Sequence, residues 1–320
     1  MSIHTVCIIG GSGFVGSHIV SQLSAAGKKT RVLTRRKSDC RHLLVLPNVE
    51  VVETNIHEQA NLDKALRDMD AVINLVGILN EQGHSGEGFR RIHVELPRKV
   101  LNACHQNRVK RILHMSALNA DANSAPSHYL RSKGEGENHV HAFGGKIAVT
   151  SFRPSVIFGR EDSFFNRFAQ LLKITPVFFP LACPHSRFAP VYVEDVARCF
   201  VESLDDKASY GERYDLCGPG VYTLKQLVEY TAENLGLKRI VIGLPDVISR
   251  MQAQLLEFAP GKPFSIDNYH SLSIDSVCEQ GRILPTAIES VVPYYLGDRN
   301  MRLRLDRQRR AARRWPGAGH

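Results

Sequence analysis

"CIIGGSGFVGSHIV", Cys7 to Val20, sets Gly10, Gly13 and Gly16 three residues apart between a β-branched apolar run and an amphipathic helical pattern. In such a turn the first glycine permits the tight bend and the second lets the backbone approach a diphosphate. The third lets the helix pack closely on the strand. Phe14 and Val15 open the helix, where free N–H groups and the positive end of the helix dipole stabilise phosphate charge. Glycine spacing alone is a weak signal that a plain βα turn also satisfies. Here it opens the first strand–helix unit of an alternating chain, which makes it a nucleotide-binding signature.

The alternation runs outward from that stretch. "KTRVLTR", "VEVVETN", "DAVINLVG", "KRILHMSA" and "KIAVTSFRPSVIFG" read as strands, separated by the helical patterns "QANLDKALRDM" and "FRRIHVELPRKVLNACHQNRV" and a long helix starting near Tyr129. Pro97 starts or kinks the second of these helices. Strands alternating with helices give a parallel sheet covered on both faces, and right-handed crossovers make it doubly wound. The expected fold class is therefore α/β, a Rossmann-type doubly wound parallel sheet with a smaller discontinuous C-terminal lobe. Residues 1–158 form the dinucleotide-binding part, with 190–218 returning to it. Residues 159–189 and 219–300 form the small lobe, and 301–320 a basic tail. Within the lobe, "TPVFFPLACPHSRFAP" is expected to be irregular because of its prolines, and Thr223 to cap the helix "TLKQLVEYTAENLG".

The 320 residues are 43% hydrophobic and 23% charged, as in ordinary globular proteins. The N-terminus carries no basic and apolar leader pattern and no apolar run approaches a membrane span, so a cytoplasmic location is expected. Seven scattered cysteines without a CxxC pair read as buried, reduced side chains. The histidines show no metal-ligand spacing, and no metal is expected. Of the net charge of +9, "RLRLDRQRRAARRW" (Arg302–Trp315) carries +6 through seven arginines and one aspartate. Such a tail is either a solvated extension or an attachment to anionic lipid or an acidic partner, which would put the protein peripherally at the inner face of a membrane. Without an aromatic stacking platform, nucleic acid is not an expected partner.

The end of the second strand selects the nucleotide. An NAD site usually has an acid there for the ribose 2′-hydroxyl. This chain has Thr34, Arg35, Arg36 and Lys37 instead, with Arg35 19 residues past Gly16. Guanidinium groups suit a 2′-phosphate, so NADP(H) is expected over NAD(H).

With the glycine turn and "YLRSK" (Tyr129–Lys133) both in view, the chain resembles an atypical extended short-chain dehydrogenase/reductase. The resemblance is to the NADPH-binding accessory subunit of respiratory complex I and its bacterial relatives. "GGSGFVGSHIV", "AVINLVGIL", "RRIHVELP", "RILHMSALNA", "YLRSKGEGE", "PSVIFGREDSFFNRFA" and "PVYVEDVA" carry it, over most of residues 5–200. It implies that Tyr129 is the proton donor or acceptor, that Lys133 holds the nicotinamide ribose and lowers the phenol's pKa, and that a serine or threonine orients the substrate. Ser116 is the candidate for that hydroxyl, with the register leaving Ala117 as the alternative. It further implies that Val76 and Gly77 lie beside the adenine ribose and diphosphate, and Pro154 near the nicotinamide amide. Asn55 and Ile56 stand against the adenine, Asn55 departing from the family's usual acid. Arg160, Glu161 and Asp162 either line the substrate side or tie the lobes together. The loop Asn80–Gly88 is either a lid or a plain loop.

Two functions follow. One is a non-turnover NADPH-binding protein associated with complex I or with quinone-biosynthesis proteins. The other is an NADPH-dependent reductase or epimerase/dehydratase-type enzyme using Tyr129 and Lys133. The apolar spacing within Pro245–Gly261 suits either a membrane-facing or a core-facing helix.

Overall fold

The computed structural model describes residues 2–81, 83–142, 145, 147–259 and 264–296. The arginine-rich stretch 302–315 lies outside the described residues. The chain runs β1 (Thr5–Ile9), α1 (Phe14–Ala25), β2 (Lys29–Thr34), β3 (Val49–Glu53), α2 (Gln59–Ala65), β4 (Ala71–Asn74) and α3 (Glu87–Arg90). A π-turn, Arg91–Glu95, joins α3 to α4 (Leu96–Gln106), followed by β5 (Arg111–Met115), α5 (His128–Ala142) and β6 (Ala148–Pro154). The π-turn ends where Pro97 enters the helix. Proline lacks an N–H and crowds the carbonyl four residues back, so the ladder is re-registered there.

Beyond β6 come β7 (Ile157–Phe158), α6 (Phe165–Ile174), β8 (Phe178–Leu181), β9 (Arg187–Phe188), β10 (Val191–Tyr192), α7 (Val193–Ser203) and β11 (Arg213–Cys217). The last part holds β12 (Tyr222–Thr223), α8 (Leu224–Asn234), β13 (Ile240–Gly243), α9 (Asp246–Leu256), α10 (Ile266–Leu272), β14 (Arg282–Ile283), α11 (Ile288–Val291) and α12 (Pro293–Leu296).

Eight strands form one sheet in the order β14-β11-β6-β5-β4-β1-β2-β3, and every neighbouring pair is parallel. The period of two along each strand divides the core. Val6 and Ile8 of β1 pack with Ile73 and Leu113 under α1 and α7, while Cys7 and Ile9 pack with Val72 and Ile112 under α2 and α4. A sheet buried on both faces needs runs such as "VCII", which is why these strands were legible.

The lobe is built on a third core around Phe165, Leu172, Phe179 and Leu227. Thr223 and Gln226 form a reciprocal capping box at the start of α8. Three sequence expectations need correction. "TPVFFPLACPHSRFAP" is not wholly irregular: while 182–186 and 189–190 carry no strand or helix, β8 alternates exposed Phe178 and Pro180 with buried Phe179 and Leu181, and pairs in parallel with β13. Its partner lies some 60 residues on, beyond the reach of local pattern. The cysteines are not all free, because Cys217 and Cys278 form a disulfide that fastens the segment after α10 to the end of β11. Finally, Arg282–Ile283 adds the outermost strand of the main sheet, so 219–300 is not wholly lobe.

Candidate dinucleotide site

The site lies at the carboxyl ends of the parallel strands, where doubly wound sheets hold ligands. After β1 the chain turns at Gly10, whose φ of +85° is in the left-handed region. Gly13 N donates to Gly10 O at 3.1 Å, and Phe14 begins α1. A Cβ on Gly16 would stand 2.4 Å from Gly10 O, so only glycine lets α1 start this close to the turn. Val76 closes the other side of the turn, 3.3 Å from where a Gly10 Cβ would lie.

A cavity of about 390 Å³ runs from Phe14 and Val15 past Gly77 to Tyr129, Lys133 and Pro154. It thus joins the first residues of α1, which follow the glycine turn, to the tyrosine–lysine pair in one space. Arg35 and Arg36 are exposed at the end of β2, outside that cavity, and Asn55 and Ile56 follow β3 on the same edge of the sheet. Asn55 has its amide engaged, donating to Glu58 at 2.8 Å and accepting from His57 N at 3.1 Å. Among the described residues neither guanidinium is in an ion pair. His57 beside them is held below the ordinary imidazole pKa by burial first and then by Arg91, Lys99 and Arg35. This end of the site is electropositive.

Tyr129 and Lys133 sit one helical turn apart on α5, on the same face. The Lys133 ammonium donates to Met115 O at 3.0 Å and lies 3.0 Å from where a Gly77 Cβ would be. Burial lowers its pKa to about 8. The expectation that Lys133 lowers the phenol's pKa is reversed here: burial, with the Asp267 carboxylate nearby, raises Tyr129 to about 12. Tyr129 is therefore a neutral phenol, able to donate a hydrogen bond and poorly disposed to ionise.

Ser116 ends differently from the expectation of a substrate-orienting hydroxyl. Its Oγ donates at 2.6 Å to Glu137 Oε2, a carboxylate that also accepts from Arg153 Nε at 2.9 Å and pairs with Arg213 Nε at 3.0 Å. Glu137 is fully buried. The neighbouring lining position is Ala117, which has no hydroxyl to offer. Removing one partner from a buried ion pair leaves uncompensated charge, so Glu137→Ala should cost about 3–5 kcal/mol of stability, read as a fall in Tm. An unchanged Tm would contradict the network.

Sequence reasoning missed His93 and Glu137. His93 stands in the π-turn with its ring edge-on to Tyr129 at 5.5 Å between centroids. Its Nε2 accepts from Ile78 N at 3.0 Å and its Nδ1 meets Ser132 Oγ at 2.8 Å. Burial, helped by the Lys133 charge, pushes its pKa down to about 2, so the imidazole is neutral. It braces both the β4 loop and α5. No local pattern links residue 93 to residue 129. Glu137 was findable, since 129, 133 and 137 share a helix face at spacings of four. Also unforeseen is the far wall, where Ser155 Oγ donates to Ser276 O at 2.7 Å beside Phe188 and Leu272. Of the acidic and basic trio, Asp162 is buried and accepts from Tyr295 OH at 2.6 Å and from Gly159 N, tying α12 to the end of β7. Arg160 and Glu161 are exposed. The loop 80–88 is held by Glu81, which accepts from Gly86 N and Gly88 N, and by the His84–Glu257 pair at 2.8 Å.

The residues present fit a nicotinamide dinucleotide: a glycine turn whose Gly10 and Gly16 admit no side chain, and a buried lysine on a cavity that begins at the first residues of α1. Such a cofactor, when bound, supplies hydride transfer. Fold and site together define a nicotinamide-dinucleotide-binding protein of the doubly wound type. Residues 6–217 match the NAD dependent epimerase/dehydratase family, and the chain belongs to that family. It is similar to the mouse mitochondrial NADH dehydrogenase [ubiquinone] 1 alpha subcomplex subunit 9, with 30% identity over 264 residues, covering 81% of this chain and 68% of that protein. It is similar also to a ceramide reductase of Caulobacter vibrioides, with 31% identity over 75% of this chain and 74% of the relative. Among solved structures, a dTDP-glucose 4,6-dehydratase from Streptomyces venezuelae superposes with a TM-score of 0.71 at 18% identity, covering 93% and 97% of the two chains.

Lys133 gives the site a pH dependence. Its depressed pKa means the ligand-free fold binds fewer protons here than the unfolded chain between about 8 and 10.5, so this group adds stability as pH rises through that window. Acceptor oxygens of a bound ribose and diphosphate favour the ammonium form. Binding should therefore take up a proton near pH 8, and affinity should fall above it by up to about tenfold per pH unit. Calorimetric titration in two buffers of different ionisation enthalpy measures this uptake; a pH-independent Kd from 7 to 9 would contradict it.

Proposed function

We propose that this protein holds NADP(H) as a resident, structural group and does not turn it over, as an accessory protein of a complex I-type or quinone-biosynthesis assembly. The observation that carries this reading is the Ser116 hydroxyl fixed on Glu137 with Ala117 beside it, which leaves Tyr129 without the usual partner for a substrate oxygen. The electropositive end of the site at Arg35 and Arg36 supports the 2′-phosphate. The similarity to the mouse subunit supports the association. No helix among the described residues is long and apolar enough to cross a membrane. The basic stretch 302–315, with seven arginines and one aspartate, supports peripheral attachment at the inner face through anionic lipid.

A second reading rests on a different feature. Tyr129 and Lys133 are both in place, and the far wall of the cavity is apolar at Leu118, Val156, Phe188 and Leu272. Such a wall suits a reductase acting on an apolar carbonyl compound, the class to which the name of the Caulobacter relative belongs, more than it suits an epimerase/dehydratase handling a charged sugar nucleotide.

One assay separates them. Purified protein loaded with NADPH is offered long-chain ketones and quinones, beside Tyr129→Phe and Ala117→Ser. The structural role predicts no NADPH oxidation by the wild type and undiminished nucleotide binding by Tyr129→Phe. Turnover abolished by Tyr129→Phe would replace the first reading with the second.

A further inference from the structure

Among the described residues, ten of the sixteen exposed large hydrophobic side chains lie in just two stretches of the small lobe, 174–178 and 240–258. The first group forms the outer face of the β8–β13 pair. Phe178 lies opposite Ile240, and Pro180 opposite Ile242, with all four side chains exposed. Ile174, 79% exposed, and Val177 extend this face.

The second group is on α9, and its arrangement contradicts the core-facing orientation ordinary for an amphipathic helix. The helix packs inward through its small residues, Ser249 and Ala253, both buried. Ser249 Oγ donates to Leu244 O and accepts from Cys183 N, and Gln252 donates to Pro180 O, which seats α9 beside the strand pair. Val247, Ile248, Met251 and Leu255 occupy the opposite side of the helical wheel, and Leu255 is 72% exposed. Phe258, 82% exposed, continues the stripe past the helix end. A helix that hides serine and alanine and presents leucine, methionine and phenylalanine is built for a surface that is not its own core.

The charge around this face indicates which surface. Lys173, Lys238 and Arg250 are exposed within or beside the apolar stretches, and Arg239 is anchored at the edge by donating to Leu172 O. The two carboxylates of the α9 segment are engaged elsewhere, Asp246 by Tyr269 OH at 2.6 Å and Glu257 by His84. An apolar face with cationic flanks is complementary to an anionic bilayer: side chains enter the acyl boundary while lysine and arginine meet phosphate.

We propose that this face of the small lobe, α9 with the outer side of β8 and β13, is a docking surface for an anionic lipid bilayer. It gives the peripheral attachment proposed above a specific surface and is independent of what the cavity holds. The geometry also sets the site's orientation. α9 packs on α10, α10 caps α5 through Asp267, which accepts from His128 N and Tyr129 N, and Ser271 and Leu272 line the cavity. Docking through the outer face of α9 would thus leave α10 between the membrane and the cavity that Ser271 and Leu272 line.

The test uses full-length protein and phosphatidylcholine vesicles with and without phosphatidylglycerol. The wild type should co-sediment with the anionic vesicles, less so as salt rises. A Met251→Asp, Leu255→Asp double variant and a separate Phe178→Asp variant should lose about tenfold or more of that partitioning, since each removes apolar contact and adds repulsion. All three positions are exposed, and a Tm and circular dichroism spectrum like those of the wild type verify the variants' fold. Variants that sediment like the wild type would overturn the proposal, leaving the arginine-rich tail as the sole anchor. Absence of binding to either vesicle would overturn it in favour of a protein partner. A wild-type dimer that the double variant dissociates would overturn it in favour of a second copy of the chain.

Discussion

Gly16→Val is expected to abolish dinucleotide binding and to destabilise the protein. The added Cβ would lie 2.4 Å from Gly10 O and 2.6 Å from Gly11 Cα, both backbone atoms that cannot swing aside. Relief requires α1 to move off the turn. That helix buries Ile19, Val20 and Leu23 in the core shared with α7, so the displacement also disturbs packing, at a cost of about 1–3 kcal/mol or more. Each charge-assisted hydrogen bond lost from the turn to a diphosphate removes about 1.5–3 kcal/mol, roughly ten- to a hundredfold in affinity. Gly13→Ala is the informative comparison. Its Cβ would meet Gly10 O at 3.4 Å, an ordinary contact, so this variant should melt like the wild type and still bind poorly, because a methyl group would stand where the diphosphate must approach. Tm and fluorescence titration with NADPH read both effects. Wild-type affinity in either variant would mean that the nucleotide does not lie on this turn.

Arg35→Glu should invert the preference between nucleotides. The wild-type chain presents exposed Arg35 and Arg36 at the end of β2, where ion pairs among the described residues do not compete for them. A guanidinium meeting a 2′-phosphate contributes about 1.5–3 kcal/mol, and a carboxylate in its place repels the phosphate while accepting from a 2′-hydroxyl. NADPH affinity should fall by about a hundredfold, with NADH affinity unchanged or improved. Parallel titrations with the two nucleotides measure the ratio. Equal losses for both, or no change in either, would place the 2′ position away from Arg35.

The inner strands of the main sheet were legible because they are buried on both faces, which forces near-continuous apolar runs; the exposed two-residue edge strand β14 was not. The turn between β1 and α1 was legible because close backbone approach admits only glycine. The lobe was not. β8 and β13 are short, proline-flanked and stabilised by each other across 60 residues. α9 has an amphipathic period but carries it facing outward, and periodicity alone does not say which side of a helix is the core. Cys217 and Cys278 were invisible as a pair because their proximity is created by α10 and its following segment folding back onto β11. Within the site, Tyr129 and Lys133 could be found from spacing on one helix. The direction of the Ser116 hydroxyl could not, because it depends on Glu137, Arg153 and Arg213 arriving from α5, β6 and β11.

In the proposed function that hydroxyl separates holding a nucleotide from using one, and the exchange rate of the bound nucleotide tests the same distinction. The protein, purified without added nucleotide and then denatured, should release NADP(H), identified by mass spectrometry. In the native state its replacement by labelled NADPH should take hours. Recovery of a protein that folds yet carries no nucleotide, or that exchanges it within the time of a catalytic cycle, would contradict the account.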